Sequence, residues 1–184
     1  MARLPAESLR ALSDWLWSEE GTRVYAVVDG ASVPGLMEKL YAEQAPRWLC
    51  LYRGELEPDM ATVAPYLVCL ERDAEFTEWL LAAGWGNHWG VFLRSAASLL
   101  DLRKHLRNIN MVYGPDLDPL LFRYYDPRVL RAFMSVCEPG QVSDLFGPVA
   151  SWIVESEDVS IALAFSGTGD AVSTSERVLV RGRG

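Results

Sequence analysis

The chain is poor in the residues that metal and nucleophilic chemistry draw on: two of its 184 residues are histidine and three are cysteine. His88 and His105 stand apart, with no HExxH or HxH pattern around either. Cys50, Cys69 and Cys137 are scattered through apolar surroundings with no CxxC spacing. Zinc and redox sites bring such ligands together at short, recognisable intervals, so the expectation is three buried free thiols, no metal and no cofactor. A GxSxG elbow is missing, and no cysteine precedes a predicted helix with a histidine to activate it. "GTGD" at residues 167–170 is followed by neither Lys-Ser/Thr nor a helix, which removes a phosphate loop. Carboxylates are spread over helix starts and polar faces rather than paired, so no catalytic residue is assigned and no enzyme is expected.

Basic residues are also in deficit, 17 against 25 acidic ones, for a formal charge of −8. Nucleic-acid binding rests on Lys and Arg against phosphate, and this balance disfavours it. Long apolar runs are lacking, so membrane insertion is not expected. The first helical segment carries Glu7, Asp14, Glu19 and Glu20, which does not fit a secretory leader, and a cytoplasmic protein is expected.

What the chain does have is apolar bulk: half of it is hydrophobic and seven residues are Trp, ample for one packed core. "LPAESLRALSDWLW" has helical apolar spacing behind Pro5, and "RVYAVVDGA" reads as a buried strand stopping at Asp29-Gly30. "VPGLMEKLYAEQ" gives a second helix; "RWLCLY" and "APYLVCLE" give strands separated by a turn, "RGELEPDMAT". "DAEFTEWLLAAG" predicts a helix capped by Asp73 and stopped by Gly84, "HWGVFLRS" a strand, and "AASLLDLRKHLRNI" a helix capped by Ser95. "NINMVYGPDLDPLLFRYYD" and "VASWIVES" with "DVSIALAFSG" predict two hairpins around a helix that runs from Asp126 to about Cys137 and a short helical piece in "EPGQVSDLFGP". The fold class that follows is α/β with α+β character in the C-terminal part: a mixed sheet flanked by helices in one compact domain over residues 1–166. Residues 167–184 are small, polar and finally basic, and are expected to form a flexible tail unless Val178 to Val180 adds an edge strand.

Two clusters stand out. In "RYYDPRVLRAFM", Asp126 before Pro127 is what a helix start asks for, since the carboxylate accepts from free backbone amides and proline has no amide to leave unbonded. Arg128 and Arg131 share a helical face, and Tyr124 and Tyr125 are expected on opposite faces of a strand, one in the core and one at the surface. In "GWGNHWG", residues 84–90, three glycines allow a sharp bend, and Trp85 and Trp89 either roof the core or stack on a ligand or partner. Tyr, Trp and Arg are the usual anchors of protein interfaces, which makes Trp85, Trp89, Tyr124, Arg128 and Arg131 the candidate protein-binding residues.

In order along the chain, "YAVVDGA", "APYLVCLE", "GWGNHWGVFLRS", "LRKHLR", "LFRYYDPRVLRAFM" and "FGPVASW" resemble the adaptor-chaperone family of bacterial type VI secretion systems. The resemblance runs from Val24 to Trp152, and its most specific element is "FRYYDPRVL", Phe122 to Leu130. It implies a bacterial loading factor without a cofactor, whose partners are a cognate secreted effector and the spike protein of the secretion apparatus. Of the candidate residues, Arg128 falls in the matching motif, whereas Trp85 rests on composition alone. A small hydrolase or carbohydrate-binding protein using Trp85 and Trp89 as a stacking platform is the alternative, and a purely structural subunit a third.

Overall fold

The structure, a computed structural model, describes residues 4–113 and 118–179. Its centre is β1 (Arg23–Asp29), in which every residue after Arg23 is buried. Because side chains alternate along a strand, Val24, Ala26 and Val28 enter one apolar core while Tyr25 and Val27 enter a second on the opposite face. A strand that is apolar on both faces needs cover on both. α1 (Ala6–Leu16), α2 (Leu36–Leu40) and α4 (Glu75–Trp79) supply it on the first face through Leu12, Leu16, Leu36, Leu40 and Phe76. On the second face lie α5 (Leu99–Ile109), α6 (Pro127–Met134) and α7 (Pro139–Phe146), with Leu102, Leu106, Leu130, Met134, Val142 and Leu145. The expected sheet flanked by helices in a single domain is present.

The sheet has seven strands in the order β2 (Trp48–Cys50), β3 (Pro65–Cys69), β1, β4 (Gly90–Ser95), β7 (Ser151–Glu155), β8 (Ile161–Thr168) and β9 (Ala171–Val178). A separate hairpin joins β5 (Met111–Tyr113) to β6 (Pro119–Leu121). Every ladder is antiparallel, which corrects the expectation of a mixed sheet. The helical crossovers do join strands of like direction, β1 to β2 and β3 to β4, but in each case an oppositely running strand sits between them. Alternation of helix and strand in sequence therefore does not become parallel pairing. At the far edge, where the sequence suggested a tail from residue 167, β8 and β9 form a hairpin that carries the sheet to Val178; Val180 lies outside the described residues.

Several local expectations are corrected. The "EPDMAT" turn contains a helix, α3 (Pro58–Val63), with proline in its first turn. Asp73 does not cap α4: it takes a left-handed φ of 62°, and the cap position is Ala74. α4 passes into a π-turn, Leu80–Gly84, so Gly84 lies inside the helical run. Ser98, not Ser95, caps α5 by accepting from the Asp101 amide, while the Ser95 hydroxyl donates to the Pro148 carbonyl. Tyr124 and Tyr125 are not in a strand; the chain turns there and both are buried. Cys50, Cys69 and Cys137 are free thiols, Cys69 buried and the other two half-buried. At Gly90 the strands approach so closely that a Cβ would lie 2.2 Å from the Val27 carbonyl oxygen, which explains a glycine at the start of β4.

One buried cation ties α1 to the sheet. Arg94 on β4 is 3% exposed. Its Nε donates to the Leu16 carbonyl at 3.0 Å, Nη2 to the Trp15 carbonyl, and Nη1 pairs with Glu19. The guanidinium thus satisfies the Leu16 carbonyl and adds to the Trp15 carbonyl, which also accepts from the Ser18 amide and hydroxyl, at a helix end where the dipole favours a cation. Arg94→Ala should cost about 2 kcal/mol by leaving the Leu16 carbonyl buried and unpaired, a fall of roughly 4–8 °C in a thermal melt; an unchanged melting temperature would remove the staple role.

Candidate functional site

The "RYYD" corner is assembled from carboxylates that each find a cation. Asp126 caps α6: Oδ1 accepts from the Arg128 amide at 3.0 Å and from Arg128 Nε at 3.0 Å, and Oδ2 accepts from Nη2 at 2.7 Å. Pro127 follows as the first, buried residue of the helix, as its fixed φ and absent amide suit it to do. The forked pairing lays the Arg128 guanidinium back over the cap while its side chain stays 59% exposed. Arg123 donates to Asp29 Oδ2 at 2.7 Å and lies over the Tyr125 ring, so the "YAVVDGA" and "FRYYD" blocks meet in space. Asp29 also accepts from Ser32 Oγ at 2.7 Å and from the Ala31 amide at 3.2 Å.

Both tyrosines serve this corner from inside. The Tyr124 hydroxyl donates to the Leu106 carbonyl at 3.2 Å and its ring meets Trp152 edge-on. Burial, then its neighbour Tyr52, pushes the Tyr125 hydroxyl far above the usual phenol range, so it stays protonated. Tyr124 is fully buried and so presents no surface.

The second cluster closes around a residue that sequence reading passed over. Glu155, at the end of β7, is 3% exposed. Its carboxylate accepts from the Gly86 amide at 2.5 Å and the His88 amide at 3.1 Å, and faces His88 Nδ1 at 2.5 Å. Gly86 and His88 both adopt positive φ, 82° and 58°, to aim these amides inward. Arg131 of α6 donates to the Glu155 backbone carbonyl at 2.5 Å, so the "GWGNHWG" loop and the "DPRVLR" helix are fastened to one strand end. The available signal was a glutamate closing the otherwise apolar "SWIV" run.

The tryptophans are placed differently. Trp85 is 6% exposed, packs against Phe92 and donates from Nε1 to the Val159 carbonyl at 2.9 Å. Trp89 is half-buried with its ring 5.3 Å from Trp79. Trp85 therefore roofs the first core, and neither indole stands out as a bare stacking plate.

What remains open to solvent is a ridge. Arg128 divides two depressions along α6. One, of about 620 Å³, mixes charged and apolar groups and is lined by His88, Arg131, Ala132, Glu157 and Val159. The other, of about 600 Å³, is apolar and lined by Phe122, Val129, Phe133 and Val136, the last 72% exposed. Beyond Phe122 and Phe133 the apolar character continues to a third hollow of about 540 Å³ bounded by Ile109, Met111, Val112 and Leu145. The adjoining hairpin exposes Leu120 and Leu121 as well. Aromatic, aliphatic and Arg side chains bordered by polar groups make the composition of a protein-docking surface. Among the described residues no three His, Cys, Asp or Glu side chains converge as a metal would require, and no helix is long and apolar enough to cross a membrane.

Residues 24–144, from β1 into α7, match the family described as Domain of unknown function (DUF4123). The chain belongs to the DUF4123 family. No curated protein and no solved structure matches it. The match takes in the Asp29–Arg123 pair, the Asp126 cap and most of the exposed ridge, while Glu155 and the last three strands lie after it.

The cap has a pH signature. Burial alone raises the Asp126 carboxyl, but hydrogen bonds from the Arg128 side chain and amide, with the charges of Arg128 and Arg123, hold it below the usual carboxylate range. A depressed folded value gives stability that is present above the unfolded value of about 3.9 and is lost as pH falls through the folded one. Asp126→Ala should lose about 1 kcal/mol at pH 7, roughly 2–4 °C, and the gap to wild type should narrow below about pH 4. Melts across pH 3–7 check this; a gap that stayed constant to pH 3 would mean that the charge contributes nothing.

Proposed function

We propose that this protein is an adaptor of a type VI secretion system, which binds a cognate toxic effector and helps load it onto the spike without altering it chemically. The observation that carries the reading is the ridge along α6. The motif that most resembles the adaptor-chaperones, "FRYYDPRVL", folds into the helix start that displays Arg128 between a hollow of mixed charged and apolar lining and an apolar one. Membership of the DUF4123 family is consistent with it. The residues around Arg128 offer what a partner's apolar side chains need, half-buried Phe122 and Phe133 beside exposed Val136, together with an arginine already oriented by Asp126.

Interface energy concentrates in a few well-packed anchors, and oriented arginines and aromatics are the usual ones. Arg128→Ala or Phe133→Ala should therefore weaken effector binding by about 2 kcal/mol, some thirtyfold, whereas Leu100→Ala, at an exposed position on α5, should change it less than twofold. The measurement is co-expression with the effector encoded beside this gene, followed by affinity capture, titration and intact mass of the effector. An unmodified effector retained by wild type and lost by Arg128→Ala meets the expectation. A cleaved or covalently changed effector would make this protein an enzyme instead.

A further inference from the structure

The two edges of the seven-stranded sheet are finished differently. At β2, side chains of α5 close the edge: Arg103 donates to the Cys50 carbonyl at 3.2 Å, and Arg107 donates to the Cys50 carbonyl at 3.1 Å and to the Tyr52 carbonyl. At β9 nothing comparable is present among the described residues. The β8–β9 register pairs Ile161 with Val178 through Thr168 with Ala171, and the Leu179 amide donates to the Ser160 carbonyl at 2.7 Å. In an antiparallel ladder, bonded and non-bonded pairs alternate. Ala171, Ser173, Ser175, Arg177 and Leu179 therefore turn their backbone groups to β8. Val172, Thr174, Glu176 and Val178 turn theirs outward, where no described group meets them. Apart from half-buried Val172, every residue of β9 is exposed, on both faces of the strand.

An eight-residue strand with its outer edge unpaired and all but one of its residues exposed is a template for one more strand. We infer that the strand it receives is the β9 of a second copy of this chain, antiparallel across a two-fold axis through Ser175. The inference is independent of the effector reading. Its support is the self-complementarity of that register. Only outward-turned residues can form bonded pairs across the new junction, so Val172 meets Val178 of the other copy and Thr174 meets Glu176. The intervening positions set Ser173 against Arg177, Ser175 against Ser175, and Ala171 against Leu179. Apolar residues meet at both ends, hydroxyls meet charges in the middle, and no like charges face each other. Sliding by one bonded pair in one direction brings Glu176 onto Glu176, a directly opposed like-charge pair that destabilises; sliding in the other breaks the Val172–Val178 match. The product is a continuous fourteen-stranded sheet with α6 and its ridge well away from the junction.

The register makes the test specific. The Thr174 amide does not bond to β8, so Thr174→Pro leaves the β8–β9 ladder intact while blocking the outer edge. Light scattering on the purified full chain over a concentration series should give twice the 20.6 kDa chain mass at the upper end for wild type. Thr174→Pro and Thr174→Glu should weaken association at least tenfold, the latter by facing Glu176 of the other copy, whereas Thr174→Lys should strengthen it. Ser175 pairs with itself at a non-bonded position, where Cα atoms are about 4.5 Å apart, within disulfide reach. Ser175→Cys in a background with Cys50, Cys69 and Cys137 replaced by Ser should therefore cross-link to a dimer on mild oxidation, and Ser173→Cys should not. A monomer at every concentration overturns the inference. So does a dimer indifferent to Thr174→Pro and Thr174→Glu, or equal cross-linking at 173 and 175.

Discussion

Everything in this fold is arranged around a strand that cannot face water on either side. From Val24 to Asp29, β1 is buried residue by residue, and its alternating side chains belong to two different cores. That requirement calls for two layers of helices and leaves polar functions to the ends of the strand, which runs between β3 and β4. At roughly 25 cal/mol for each Å² of apolar surface taken from water, a strand covered on both faces yields more per residue than one with a wet side. The cost is that any polar group drawn inward with it must be matched.

The matching is visible in three carboxylates, Asp29, Asp126 and Glu155, all buried at the ends of elements. Asp29 takes Arg123, Asp126 takes Arg128, and Glu155 takes His88 with two loop amides. Pairs of this kind add little net stability, because desolvation offsets attraction, but they penalise any other arrangement of the loops that carry the partners. Their effect is to hold the start of α6 and the 84–90 loop in one position relative to the sheet. The exposed side chains of α6 inherit that rigidity. A surface that need not order itself on binding loses less of its interaction energy to conformational entropy.

How much of this could be read from residues alone depended on whether the signal was local. The Asp126-Pro127 cap is a local signal and emerged as read, as did the helices α5 and α6 and the β7–β8 hairpin. Tyr124 and Tyr125 were misread because alternation was assumed where the chain turns, and a turn folded over by Arg123 buries both rings. α3 was missed because "EPDMAT" has no apolar stripe, and indeed none of its residues is buried. Glu155 was missed for the opposite reason: its role exists only once residues 86 and 88 are brought to it by the fold. Strand direction was also beyond reach, since the insertion of β3 between β1 and β2 is a long-range choice with no local trace.

The central position of β1 also has a temporal side. As the chain leaves the ribosome, the central strand emerges well before its two hydrogen-bonding neighbours, residues 65–69 and 90–95. Until β3 has followed, "VYAVVD" has neither edge occupied, and until β4 has followed it has only one. Contacts of such sequence separation close slowly because the entropy of the intervening loop is lost before pairing repays it. For that interval the nascent protein displays the kind of unpaired, β-branched segment that chaperones bind and aggregates recruit. A protein read as a chaperone for another chain thus presents, early in its own synthesis, the kind of surface that chaperones bind.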